Sequence, residues 1–94
     1  MHTLLVVDDE RSVLSVFKGV FGKQPDVELL TAASGREGVA VVKAEQPDAV
    51  ILDVLLPDQA GLDVFSQLRE IDPRLPVIFI TGGGNSATAI EAMQ

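Results

Sequence analysis

Two hydrophobic runs of this chain end on acid: LLVV is followed by Asp8 and Asp9, and AVIL by Asp53. A third run, PVIFI, ends on the hydroxyl of Thr81. If these runs are parallel strands of one sheet, all three carboxylates and the hydroxyl meet at one edge. Carboxylates crowded within a few ångströms repel, and without a counter-charge at least one of them takes up a proton through a raised pKa. A divalent cation removes that penalty. Hard oxygen donors and a chain without cysteine favour Mg²⁺ or Mn²⁺ over zinc. With a cation screening the approach of one anion to another, Asp53 can attack a phosphorus atom and become an aspartyl phosphate. Thr81 would then hydrogen-bond a phosphoryl oxygen, and Gly82 would leave room beside it.

The elements that must position these residues are legible in the hydrophobic pattern. Leu4 to Val7 is a continuous apolar run, the pattern of a strand buried on both faces. Val13, Leu14, Val16, Phe17, Val20 and Phe21 recur at helical spacing on one stripe, and Gly22 and Pro25 stop that helix. Val27 to Ala32 reads as a second strand. Ser34 with Glu37 forms a capping-box signature that opens a helix through Val39, Val42 and Ala44, ended by Pro47. Ala49 to Asp53 is a third strand, Pro57 to Gly61 a turn, and Leu62 to Ile71 a helix with Phe65, Leu68 and Ile71 facing inward. Pro73 and Pro76 bracket the next loop. Val77 to Thr81 is a fourth strand, Gly82 to Asn85 a glycine loop, and Ser86 to Met93 the start of a fourth helix. Strict β/α alternation with short connections predicts an α/β fold: an open parallel sheet with helices on both faces. A closed eight-stranded barrel needs far more chain. In open sheets of this kind ligands bind outside the carboxyl ends of the strands, where Asp8, Asp9, Asp53 and Thr81 stand.

Composition narrows the function classes. The 94 residues make one domain at most, 47% hydrophobic and 22% charged. The apolar runs are too short to span a bilayer, and MHTLLVVDDE has neither a basic leader nor a cleavage site, so a cytoplasmic protein is expected. Fourteen acidic against seven basic residues give a net charge of −7, which repels phosphate backbones and anionic lipid. Direct contact with nucleic acid or membrane is therefore not expected of this domain.

Each residue also has a plain structural role. Asp9 alone would cap the first helix, Asp8 would be a solvated strand end, and Asp53 would start a turn. Asp58 and Asp63 read as ordinary turn and helix-start residues, and His2 as exposed. The conjunction is harder to explain as independent caps: two separate strand ends supply three acids to one edge, beside a third that ends in a hydroxyl.

LLVVDDE, VILDVLLPDQAGLDVF and PVIFITG resemble the receiver domain of bacterial two-component response regulators, and the resemblance runs from Thr3 to the last residue. It implies the flavodoxin-like strand order 2-1-3-4, with Asp53 as phospho-acceptor and Thr81 as switch hydroxyl. It implies further that Asp9 is a metal ligand, that Asp8 binds directly or through water, and that Leu55 gives a backbone carbonyl. The expected partners are a histidine kinase or phosphotransfer protein as donor and an output domain. The run from Leu56 through Met93 looks most like receivers of transcriptional activators that carry an ATPase and a DNA-binding domain downstream. The family also has a fifth strand bearing a Lys, an aromatic switch residue and a fifth helix, none of which this chain contains. A receiver domain incomplete at its C-terminus is therefore expected. The flank of its fourth strand would be free to pair in a homodimer or an element-exchanged oligomer.

The reading that follows is a signalling domain rather than an enzyme. A phosphohydrolase of the haloacid dehalogenase type also uses a strand-end Asp, but wants an acid two residues on, where Leu55 stands. A flavodoxin-like cofactor domain wants a phosphate-binding loop after the first strand, where DDE would repel phosphate. An interaction module with an idle pocket is the remaining alternative, and the missing Lys keeps it open.

Overall fold

The computed structural model describes residues 1–80. Strands and helices alternate along the chain: β1 (His2–Val7), α1 (Arg11–Phe21), β2 (Val27–Ala32), α2 (Gly35–Glu45), β3 (Ala49–Asp53), α3 (Gly61–Ile71) and β4 (Val77–Ile80). The strands form one parallel sheet of order β2-β1-β3-β4, as expected. Thr81, the glycine loop and the expected fourth helix lie outside the described residues.

The unbroken apolar character of β1 and β3 follows from their central position. Side chains alternate between faces along a strand, so a strand covered on both sides has no polar phase. In one phase Leu5, Val7, Val50, Leu52, Val77 and Phe79 share a buried cluster with Val42 of α2 and with Val64 and Leu68 of α3. Val6 and Ile51, in the other phase, are also buried. Removing one such side chain from water stabilises the fold by roughly 1.5–3 kcal/mol. Phe65 and Ile71 pack partly buried against the cluster, while Val64, which the expected inward set leaves out, is buried completely.

Helix α1 packs on β2. It buries no residue fully, and Val16 and Val20 of its apolar stripe are 64% and 55% exposed. Periodicity identified the helix correctly, but the width of its contact with the sheet is narrower than the stripe. At the head of α2 the capping box forms: Ser34 Oγ accepts from the Glu37 N–H at 3.1 Å, and Glu37 Oε2 accepts from the Ala33 N–H at 2.9 Å. Its other end closes on Gln46 in the left-handed region (φ 48°), just before the buried Pro47. Arg69 ties α3 to the following loop by donating from Nη1 to the carbonyls of Pro73 (3.0 Å) and Leu75 (2.6 Å).

Candidate metal and phosphoryl site

Sheet register is what brings the acids together. Val7 stands opposite Leu52, so the next residues of the two central strands, Asp8 and Asp53, leave the sheet side by side. One carboxylate oxygen from each of Asp8, Asp9 and Asp53 lies within 4.8 Å of the others. Asp8 and Asp53 are 2% and 4% exposed, whereas Asp9 faces solvent. Helix α1 begins at Arg11 with Glu10 at its cap position and no side chain bonded there, so Asp9 does not serve as the N-cap.

Backbone donors hold the two buried carboxylates. Asp8 Oδ1 accepts from the Glu10 N–H at 2.9 Å, and Asp53 Oδ1 from the Leu55 N–H at 3.1 Å. These bonds aim the side chains without neutralising them. Burial pushes the Asp53 carboxyl up to about 6 from 3.8, the Leu55 N–H opposes that rise, and Asp8 and then Asp9 add to it. Among the described residues no positive group stands beside it. The residues present thus fit a hard divalent cation: converging carboxylate oxygens, no soft donor, and a buried acid whose charge the fold leaves uncompensated.

The loop after Asp53 turns back sharply onto its own strand. Val54 donates to the Ile80 carbonyl at 3.0 Å, the Gly61 N–H returns to the Val54 carbonyl at 2.8 Å, and Leu55 bridges Ala60. The approach at Gly61 is so close that a Cβ there would lie 2.6 Å from the Asp53 carbonyl oxygen and 2.8 Å from Val54 Cα. Leu55 itself is 71% exposed and so presents only its backbone to the site. Of the residues expected to act here, the structure gathers Asp8, Asp9 and Asp53, with Leu55 bonded to Asp53; Thr81 is not among the described residues.

Asp58, whose place in the sequence predicts an ordinary turn residue, has a further role in the structure. Its Oδ1 accepts from the Gly35 N–H at 2.8 Å and its Oδ2 from the Arg36 N–H at 2.9 Å, which holds its carboxyl below the usual range. No local pattern announces a cap supplied from a loop 22 residues downstream.

A family profile described as "Response regulator receiver domain" matches residues 4–94. The chain is 42% identical over 79 residues to the probable transcriptional regulatory protein TcrX of Mycobacterium tuberculosis, covering 84% of this chain and 33% of TcrX. It is 32% identical over 89 residues to the regulatory protein LuxO of Vibrio cholerae, covering 95% of this chain and 19% of LuxO. Among solved structures it superposes on NtrX from Brucella abortus, determined with ATP, at a TM-score of 0.88 and 31% identity, covering 98% of this chain and 21% of NtrX. The chain thus spans a third or less of these relatives' lengths.

Proposed function

The chain belongs to the response regulator receiver family of two-component systems, and on that premise we propose that it accepts a phosphoryl group on Asp53 from a histidine kinase or phosphotransfer protein. The observation that carries this reading is the convergence of Asp8, Asp9 and Asp53 within 4.8 Å, with Asp53 buried and its charge uncompensated. Asp8, Asp9, Asp53 and the Leu55 carbonyl would hold Mg²⁺ or Mn²⁺. That cation would neutralise the acids and screen the approach of the phosphoryl anion.

Asp53, ionised above about pH 6, supplies the attacking oxygen. Its bond to phosphorus forms as the bond between phosphorus and the donor breaks, and the electron pair leaves with the donor. The Leu55 N–H keeps Oδ1 fixed throughout, so that little reorganisation is needed on attack. Thr81, one residue beyond β4, would bond a phosphoryl oxygen and report the modification to the surface that an output domain reads.

The domain would act as a covalent switch rather than an enzyme, in the cytoplasm, within a larger transcriptional activator. The similarity to TcrX, a probable transcriptional regulatory protein, supports that placement. No helix among the described residues is long and apolar enough to cross a membrane. Self-association of the chain belongs to the same proposal and is read by sedimentation velocity.

Intact mass after incubation with acetyl phosphate and Mg²⁺ tests the reading. It is applied to this chain, to a version extended through a fifth strand, and to the Asp53→Asn variant of each. Gain of a single phosphoryl group that disappears with Asp53→Asn and with chelator is the expected result. No gain in any of them, with cation binding intact, would favour a docking module with an idle pocket.

A further inference from the structure

The loop carrying Leu55 is pinned in its middle as well as at its ends. Its ends are held by the Leu55 bond to Asp53 and by the return of Gly61 to Val54. Its middle is held by Asp58, which bonds the N–H groups of Gly35 and Arg36. Those are the leading backbone donors of α2, which an α-helix leaves without intrahelical partners. Ser34 reaches only the Glu37 N–H, so the local cap does not serve them.

A carboxylate is the acceptor best suited to that place. It takes both N–H groups at once and stands at the positive end of the helix dipole. The junction around it is close-packed. A Cβ on the buried Gly35 would meet Val64 Cγ2 at 2.7 Å and Gln59 Cγ at 2.8 Å. Gln59 accepts in turn from Gln67 Nε2 of α3 at 2.6 Å. The loop, the head of α2 and the flank of α3 therefore form one unit.

We propose that Asp58 is a positioning residue for the acidic site: by bridging the loop to the N-terminus of α2, it holds Leu55 where its carbonyl completes the cation-binding set. This rests on the reading of Asp8, Asp9 and Asp53 as a cation site. It adds a physical link between that site and α2, through which filling the site is felt at the head of the helix.

The test is a Mg²⁺ titration followed by amide NMR on the chain, Asp58→Ala, Asp58→Asn and Ser34→Ala. The N–H groups of Glu10 and Leu55 report on the carboxylates they bond, and those of Gly35 and Arg36 report on the bridge. In the parent chain all of these signals should move with one dissociation constant. Asp58→Ala should raise that constant roughly tenfold, the lower range for loss of a group that orients a metal ligand. It should also uncouple Gly35 and Arg36 from the titration. Asp58→Asn, with one acceptor oxygen and no charge, should fall between. Ser34→Ala loosens the same helix end without touching the loop and should leave the constant unchanged.

A constant for Asp58→Ala within about twofold of the parent, with Gly35 and Arg36 still responding, would overturn the proposal. Equal weakening in Asp58→Ala and Ser34→Ala would overturn it too, by making the effect a general loosening of α2. If the parent chain shows no saturable response at Glu10 and Leu55, the cation reading itself fails and the positioning role falls with it. That failure is distinguishable because it shows before any substitution is made.

Discussion

Replacing Asp53 by Asn should make the chain more stable at neutral pH when divalent cations are withheld, although it deletes the proposed reactive group. The carboxyl titrates near 6 in the fold against 3.8 outside it, chiefly because it is buried, and secondarily because Asp8 and Asp9 stand beside it. Between those values the folded chain binds more protons than the unfolded chain, so stability falls as pH rises through the window and levels off above about 6. At about 1.4 kcal/mol per pH unit the full displacement corresponds to about 3 kcal/mol. Solvent reaching the site beside the exposed Asp9 screens this to about 1–2 kcal/mol. Asn keeps an oxygen to accept from the Leu55 N–H and offers its NH₂ to Asp8, so the loop geometry survives. In a domain of this size the gain is a rise in Tm of roughly 4–16 °C. The chain has no Trp or Tyr, so urea unfolding is followed by far-UV circular dichroism, with chelator present. The two proteins should be closest in stability near about pH 4 and separate as pH rises to about 7. A gap that does not change with pH, or an Asn variant that is less stable at neutral pH, would refute the reasoning.

Four further outcomes follow from the packing and the site. Millimolar Mg²⁺ should raise the Tm of the parent chain by preferential binding to the folded state, and by much less in Asp53→Asn; equal shifts in both would count against a site built on Asp53. Gly61→Ala should cost about 1–3 kcal/mol in urea unfolding, because its Cβ would press on the Asp53 carbonyl oxygen and Val54 Cα. Gly19→Ala, with nothing within 4 Å of the added methyl in the last turn of α1, should instead stabilise by up to about 0.5–1 kcal/mol. Leu68→Ala should cost about 2–5 kcal/mol by leaving a cavity in the cluster, whereas Val20→Ala, at an exposed position, should stay within about 0.5 kcal/mol of the parent.

Much of the fold is legible from residue pattern because each element obeys a local rule. The apolar runs of β1 and β3 mark strands covered on both faces, Ser34 and Glu37 mark the head of α2, and Pro47 follows its end. Even the strand order follows once β/α alternation is joined to the family resemblance. Periodicity was less informative about burial. It places Val16 and Val20 on the inner stripe of α1, yet both are exposed, since how much of a stripe is covered depends on the neighbouring elements. It also passes over Val64, which is fully buried in the central cluster through packing against residues distant in sequence.

Strand ends and side-chain types are local properties, so the placing of Asp8, Asp9 and Asp53 at the carboxyl ends of β1 and β3 was legible in the residues alone. That Asp8 and Asp53 leave the sheet as neighbours depends instead on the register of β1 against β3, which packing sets. The tertiary structure also decided that Asp53 is desolvated enough to shift its titration, and that Asp58 spans 22 residues to hold the loop beside it. Register, desolvation and long-range capping arise from packing between distant segments, and no window of neighbouring residues encodes them.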